Sequence, residues 1–311
     1  MWYGGWTGIL ALLAVAGASL VLRPAPAARA DGAPPPGYDI SWPQCPGTFP
    51  KGDFAFAVIG LNNGRPFTTN DCFRAQYRWA RAAQVHPDVY INLDFPRADD
   101  PRGATGPQGK CEADDDWCRA HNYGHAIARD SILRATALGV SPGRYWLDVE
   151  VLNHWSPSTR NNAEVIRGAV NYFLDFNVPI GLYGTRYQWG LIAGSFGDSA
   201  KLPLWVAGAT DRLSAAERCD DPSYTFAGGE TWLVQYPEGD FDGNVICPRA
   251  VRAAAPVTTP AAASNPEAPN LRSRQWRAPT SRFSLLGALS LNEWLNDLPT
   301  AVRGTPEWSV D

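Results

Sequence analysis

The chain has 311 residues, 19% of them charged, with Lys plus Arg 27 against Asp plus Glu 31 and a net charge of −4. That length supports a sizeable core, and the small acidic excess leaves no cationic surplus to neutralise a phosphate backbone, which argues against a nucleic-acid partner. Hydrophobic residues at 45% exclude wholesale disorder, and 13 Trp supply much flat aromatic surface.

In chain order, residues 8–22 are apolar or small throughout, about 15 positions, which suits a secretory leader and falls short of a membrane span. Ala28-Arg29-Ala30 supplies a small-x-small cleavage pattern. The reading is an exported protein with a signal peptide over 1–30; an uncleaved anchor is the competing one. Removing that segment takes away Arg23 and Arg29 and no acid, so the mature chain is more acidic still. After cleavage no stable membrane insertion is expected.

Residues 31–36 form a Pro-rich lead, and dense patterning runs over 37–250. Strand-like β-branched or aromatic runs fall at 38–41, 54–60, 89–93, 144–150, 180–183, 204–207 and 231–236. Helical periodicity falls at 72–84, 121–138, 160–176 and 187–193, with Gly139 placed to end the second helix. Strand and helix in alternation predict a parallel sheet with crossover helices. GxGxxG and GxxxxGK[ST] are both absent, so an α/β fold of the irregular TIM-like barrel type is favoured over a nucleotide-binding sheet. Past 250 the composition turns to Ala, Pro, Thr and Ser, a linker over 251–282. The tail, 283–311, carries a short amphipathic run at 283–298.

All six Cys follow the leader, and an even count in an exported chain reads as three disulfides. Neighbour pairing, Cys45 with Cys72, Cys111 with Cys118 and Cys219 with Cys247, brackets loops between elements. The spacings do not group four zinc ligands, and His121 and His125 lack the HExxH glutamate, so they read as surface helix residues. Asp114-Asp115-Asp116 lacks EF-hand order and reads as a solvated loop. No metal and no cofactor are expected.

In a barrel, reactive groups project from the C-terminal strand ends. Asp39 ends the first strand, Asn92 and Asp94 the third, Asp148 and Glu150 the fourth, and Asp242 follows the last. Asp148 and Glu150, at i and i+2, share a strand face with Cα atoms about 6.5 to 7 Å apart. Like charges that close separate in pKa, leaving one acid protonated and the other ionised, as glycoside cleavage requires. An acidic strand end that caps a helix or meets an Arg is the plainer alternative. Tyr183, Trp205 and Tyr236 fall near other strand ends, where rings stack on pyranose faces; Asn92 and Gln235 offer amides for hydroxyl or acetamido groups. Trp42 and Trp155 sit in adjacent loops, and Trp79, Trp146 and Trp232 read as core.

Together YDISWPQC, YWLDVE, GLYGTRYQW, LWVAG and WLVQYPEGDFDGN, in that order, resemble the glycoside hydrolase family 25 lysozymes. More closely, they are similar to the secreted glycoside-hydrolase-like proteins of actinobacteria related to them. The resemblance implies an irregular β/α barrel that binds peptidoglycan and hydrolyses the β-1,4 bond between N-acetylmuramic acid and N-acetylglucosamine with retention. It makes Glu150 the proton donor. It assigns Asp148 to stabilising charge as the substrate's N-acetyl oxygen, or a carboxylate, attacks the anomeric carbon. Asp39 matches the family's first site aspartate, and Asp242 is the nearest substitute, offset in position, for the aspartate the family places after its last strand. The expected activity is therefore a secreted or envelope-associated muramidase-like hydrolase, acting as a monomer on cell-wall glycan. The other class is a non-catalytic carbohydrate-binding or envelope protein that keeps the barrel.

Overall fold

The computed structural model describes residues 35–45, 47–83, 85–197 and 201–250. The leader over 1–30, the linker over 251–282 and the tail with its run at 283–298 lie outside the described residues. In chain order the elements are β1 (Gly37–Ile40), β2 (Ala57–Gly60), α1 (Phe73–Ala80), β3 (Asp88–Asn92), a ribbon of β4 (Thr105–Gly106) and β5 (Gly109–Lys110), and α2 (Asp116–Ala137). Then come β6 (Tyr145–Asp148), α3 (Thr159–Asp175), β7 (Ile180–Gly184), α4 (Arg186–Ala193), β8 (Leu204–Val206), α5 (Arg212–Arg218), β9 (Thr231–Glu238) and β10 (Phe241–Ile246). Eight strands close a barrel in the order β1, β10, β9, β8, β7, β6, β3, β2. All neighbours run parallel except β10, which is antiparallel to both β1 and β9.

Four helices begin on an oxygen-bearing cap that satisfies an orphan N–H. Asp115 accepts from Cys118 N, Ser158 from Asn161 N, Thr185 from Gln188 N and Asp211 from Ser214 N. Gly139, at φ 69°, follows α2 in the left-handed conformation that ends many helices.

Strand alternation divides the core in two. Tyr145, Leu147 and Val149 face the helix layer with Ile91, Leu182 and Phe173. Trp146, Tyr183, Trp205, Leu233, Phe56 and Val58 fill the barrel interior. Bulky rings fit there because facing positions are small: a Cβ on Gly181 would stand 2.3 Å from the Trp146 ring, and one on Gly60 3.0 Å from Tyr90 Cζ.

The N-terminal end of the barrel is closed by polar groups. Trp146 Nε1 donates to Asp88 Oδ2 at 2.9 Å, and the Arg144 guanidinium stacks 4.6 Å above Trp232. Burial pushes the Asp88 carboxyl up to about 6, against the Trp146 hydrogen bond and the Arg144 charge, which favour ionisation. A carboxyl raised in the fold contributes stability below its ordinary pKa and loses it as pH rises through the folded value. Asp88→Asn keeps an acceptor for Trp146 and removes the ionisation, so it should leave the melting temperature unchanged at pH 3.5 and raise stability at pH 7.5 by up to about 3 kcal/mol. Thermal melts at the two pH values check this; a lower midpoint at pH 7.5 contradicts it.

Several elements differ from the sequence reading. β10 and α5 were not among the predicted elements. The fourth strand stops at Asp148 because the Glu150 carbonyl accepts from Asn153 N (3.1 Å) and Trp155 Nε1 (2.7 Å) in its own loop, not from a neighbouring strand. His121 is not a surface residue: it is buried between α2 and α3, its Nδ1 3.1 Å from Glu164 Oε2, while His125 packs edge-on to Tyr172. The disulfides join Cys45 to Cys72, Cys111 to Cys118 and Cys219 to Cys247. The first fastens the loop after β1 to the start of α1, the second closes the approach to α2, and the third joins α5 to the end of β10. Among the described residues no helix is long and apolar enough to cross a membrane.

Candidate active site

At the C-terminal end of the parallel strands lies a cavity of about 180 Å³ lined by Asp39, Asp148, Glu150 and Asp242 together with Tyr90, Tyr183, Trp205 and Gln235. Each acid arrives there by strand geometry. Asp39 is the inward residue near the end of β1, and Asp148 is the last of β6. Glu150 follows two positions on, while Val149 between them faces the helices. Asp242 reaches the same end by the opposite route: β10 runs antiparallel, so its first residues sit where the other strands finish. The register places Asp242 directly opposite Asp39. The two-residue turn Gly239-Asp240, with Gly239 at φ 65°, makes that reversal possible.

Asp39 is held by a buried chain of amides. Trp205 Nε1, which can only donate, gives its proton to Asn244 Oδ1 at 2.7 Å, and this fixes the Asn244 amide so that Nδ2 donates to Asp39 Oδ2 at 2.7 Å. Gln235 Nε2 donates to both Asp39 oxygens at 3.2 and 3.1 Å, its own Oε1 accepting from Tyr183 Oη at 2.9 Å. On the opposite wall Asn92, paired with Asp148 in the β3–β6 register, donates Nδ2 to Asp148 Oδ2. Asn62 anchors Asn92 in turn through backbone contacts at 3.4 Å in both directions.

All four carboxyls are raised. Burial pushes Asp39 up to about 8, reinforced by the Asp242 and Glu150 charges and opposed by Asn244 and Gln235. Burial lifts Asp148 well above the usual carboxylate range, with the Glu150 and Asp39 charges adding to it and Asn153 and Asn92 opposing. Glu150 is raised by burial and by the Asp242 charge, against a hydrogen bond from Gln188, and Asp242 by partial desolvation. Four acids in so small a volume cannot all be ionised, so the cluster keeps protons at neutral pH. Depth grades them: Asp148 and Asp39 are 3% and 7% exposed, Glu150 is half-buried and Asp242 stands exposed at the rim.

Tyr183, Trp205 and Gln235 line the cavity, but most of the residues expected to bind sugar have other roles. Tyr236 is not in the cavity. It follows inward-facing Gln235, so alternation turns it outward, into the cluster with Ala215, Val234 and Cys247 under α5. Trp205 is only 1% exposed, packed 4.3 Å from Tyr183 and 5.9 Å from Trp146, so its ring forms the floor and is not an open platform. The Asn92 and Gln235 amides, assigned above to sugar recognition, are engaged with Asp148 and Asp39, because a buried amide must find partners inside the protein. Asn244 and Tyr90 went unnoticed in the sequence. The turn signal in Glu238-Gly239-Asp240 would have exposed β10, and with it the inward alternation of Asp242 and Asn244. Trp42 is 46% exposed in the short 3-10 turn Trp42–Gln44, next to cavity-lining Pro43 and Gln44. Among the described residues no cluster of His, Cys, Asp and Glu has the arrangement of a metal site.

Comparison with known proteins finds likenesses over part of the chain. Residues 124–223 match the family model described as "Lysozyme-like protein 1", and this stretch carries Asp148, Glu150, Tyr183 and Trp205. A curated relative, a probable GH family 25 lysozyme 3 of Dictyostelium discoideum, is 29% identical over 102 residues, 32% of this chain and 20% of the relative. The chain thus spans about a fifth of the length of that relative. Among solved structures, the muramidase from Acremonium alcalophilum aligns with a TM-score of 0.45 and 19% identity, over 70% of this chain and 95% of the other. The bacterial lysozyme from Streptomyces coelicolor aligns with a TM-score of 0.43 and 19% identity, over 71% and 96%. Over its matched segment the chain is similar to a lysozyme-like family model and to a probable lysozyme of glycoside hydrolase family 25.

Proposed function

We propose that this protein is an exported muramidase-like hydrolase that cleaves the β-1,4 glycosidic bonds of peptidoglycan as a monomer, without metal or cofactor. The observation that carries the reading is the convergence of Asp39, Asp148, Glu150 and Asp242 on one cavity at the catalytic end of a barrel. Export is supported by the apolar run at 8–22 and by three disulfides.

In this mechanism Glu150, whose protonated form is favoured by burial and by the Asp242 charge, gives its proton to the glycosidic oxygen as the C–O bond breaks. The substrate's own acetamido oxygen closes on the anomeric carbon, and Asp148, ionised in the form of the coupled cluster whose protons sit on Glu150 and Asp39, stabilises the positive charge that develops on the ring so formed. Water then attacks the anomeric carbon, giving its proton to the Glu150 carboxylate and reopening the ring, which restores the starting state with retained configuration. Asp39, held by Asn244 and Gln235, and Asp242 set the field around that pair.

Asp148→Asn tests this role assignment. It should reduce the rate of new reducing-end release from purified peptidoglycan by about tenfold to a hundredfold, with KM little changed, because a charge useful only in the transition state has been removed. Unchanged kcat would remove Asp148 from the mechanism.

A further inference from the structure

A second cavity, of about 420 Å³, lies beside the carboxylate cluster on the same end of the barrel. Its walls come from the loop after β3, with Phe95 and Arg97, from the first turn of α2, with Asp116 and Arg119, and from the loop after Glu150, with His154 and Trp155. The two cavities share the Glu150 loop: the Trp155 indole that lines the second donates Nε1 to the Glu150 carbonyl at 2.7 Å. Anything bound there lies next to the group assigned above as proton donor.

The second cavity is built rather than incidental. Phe95 N donates to the His154 carbonyl at 2.7 Å, and His154 Nδ1 lies 2.9 Å from the Phe95 carbonyl, so the two loops are stitched in both directions. Arg119 donates to the carbonyls of Ala113, Ala98 and Asp100, each at 3.1 Å, binding the α2 wall to the loop after β3. The Cys111–Cys118 disulfide closes the segment that carries Ala113 and Asp116. A cavity braced this way loses little freedom when it takes a ligand.

Its chemistry is mixed. Phe95 and Trp155 give flat apolar walls, Arg97 and Arg119 bring positive charge and Asp116 brings negative charge. Hydroxyls can hydrogen-bond to either charge, but only a ligand carrying both carboxylate and amine groups, such as a short peptide, can form ion pairs with both. Resting on the muramidase reading, we infer that this cavity is a subsite for a charged peptide branch carried by the glycan, seated beside the sugar that is cleaved, with Arg97 at the rim pairing a carboxylate of the branch.

The test uses the full chain and two soluble peptidoglycan glycans, one with its peptide branches and one stripped of them by an amidase and then amidated at the lactyl carboxylates that the cut sets free. Wild type should show higher kcat/KM on the branched glycan. Arg97→Ala should lower that value about fivefold through KM, and Arg97→Glu further, with neither changing the stripped glycan, as expected for one exposed charge pair. Equal losses on both glycans, or no loss on the branched one, would overturn the subsite. Turnover of the stripped glycan by wild type judges the muramidase reading separately. If neither glycan turns over, the same contrast is read in affinities by calorimetry, where equal binding of both by wild type overturns it.

Discussion

Glu150→Gln should lower kcat for peptidoglycan cleavage by about two to four orders of magnitude while KM stays within a few-fold of wild type. The amide keeps the size and hydrogen-bonding capacity of the carboxyl but has no proton to give the leaving oxygen and no carboxylate to take one from water. Stability should move the other way. The Glu150 pKa is raised by burial first and then by the Asp242 charge, so its ionised form is disfavoured in the fold. A carboxyl of that kind contributes stability at low pH and loses it as pH rises. At pH 7 the neutral variant therefore melts no lower than wild type, and the difference vanishes near pH 3.5. A variant that is inactive and also less stable at pH 7 would mean that Glu150 serves the structure and that its loss of activity is indirect.

Gly124→Ala should destabilise the fold by about 3 kcal/mol, at the upper end for overpacking. α2 and α3 cross so closely that a Cβ on Gly124 would stand 1.9 Å from the Val165 carbonyl oxygen. One on Gly168 would stand 2.0 Å from the His121 carbonyl oxygen. Both obstacles are backbone, so relief requires the helices to separate, which also pulls apart the buried His121–Glu164 pair at 3.1 Å. One separation relieves both clashes. The double variant Gly124→Ala/Gly168→Ala is therefore expected to cost clearly less than the two single costs added, as sites coupled through one backbone shift do. Urea unfolding of the three variants measures this; strict additivity would mean that the two glycines act at independent contacts.

The alternation of strands and helices was legible because β-branched runs and 3.6-residue periodicity are local properties, and the eight-stranded barrel uses most of those runs. β10 was hidden because Phe241–Ile246 carries Asp242, Gly243 and Asn244 at its centre, residues poor in strand propensity; what makes them a strand is the register against β1 and β9. Glu150, Asp148, Asp39 and Asp242 could be selected from sequence because acids at strand ends are conspicuous. The supporting residues could not, since an amide in a sequence does not reveal whether its partner will be a sugar or a buried carboxylate. Asn92 and Gln235 went to carboxylates. Tyr236 is adjacent to Gln235 on one strand, and the two cannot face the same cavity. The burial of His121 is equally invisible in the sequence, as only the close crossing at Gly124 and Gly168 makes that part of α2 interior.

The most direct test of the account is the identity of the sugar at the new reducing end. Purified peptidoglycan is digested with the full-length protein, the products are reduced with borohydride, and the reduced termini are identified by mass spectrometry. The account predicts reduced N-acetylmuramic acid from wild type and none above background from Glu150→Gln. Reduced N-acetylglucosamine would place the cut at the other bond of the repeat, and no new terminus from wild type would contradict catalysis by this carboxyl cluster.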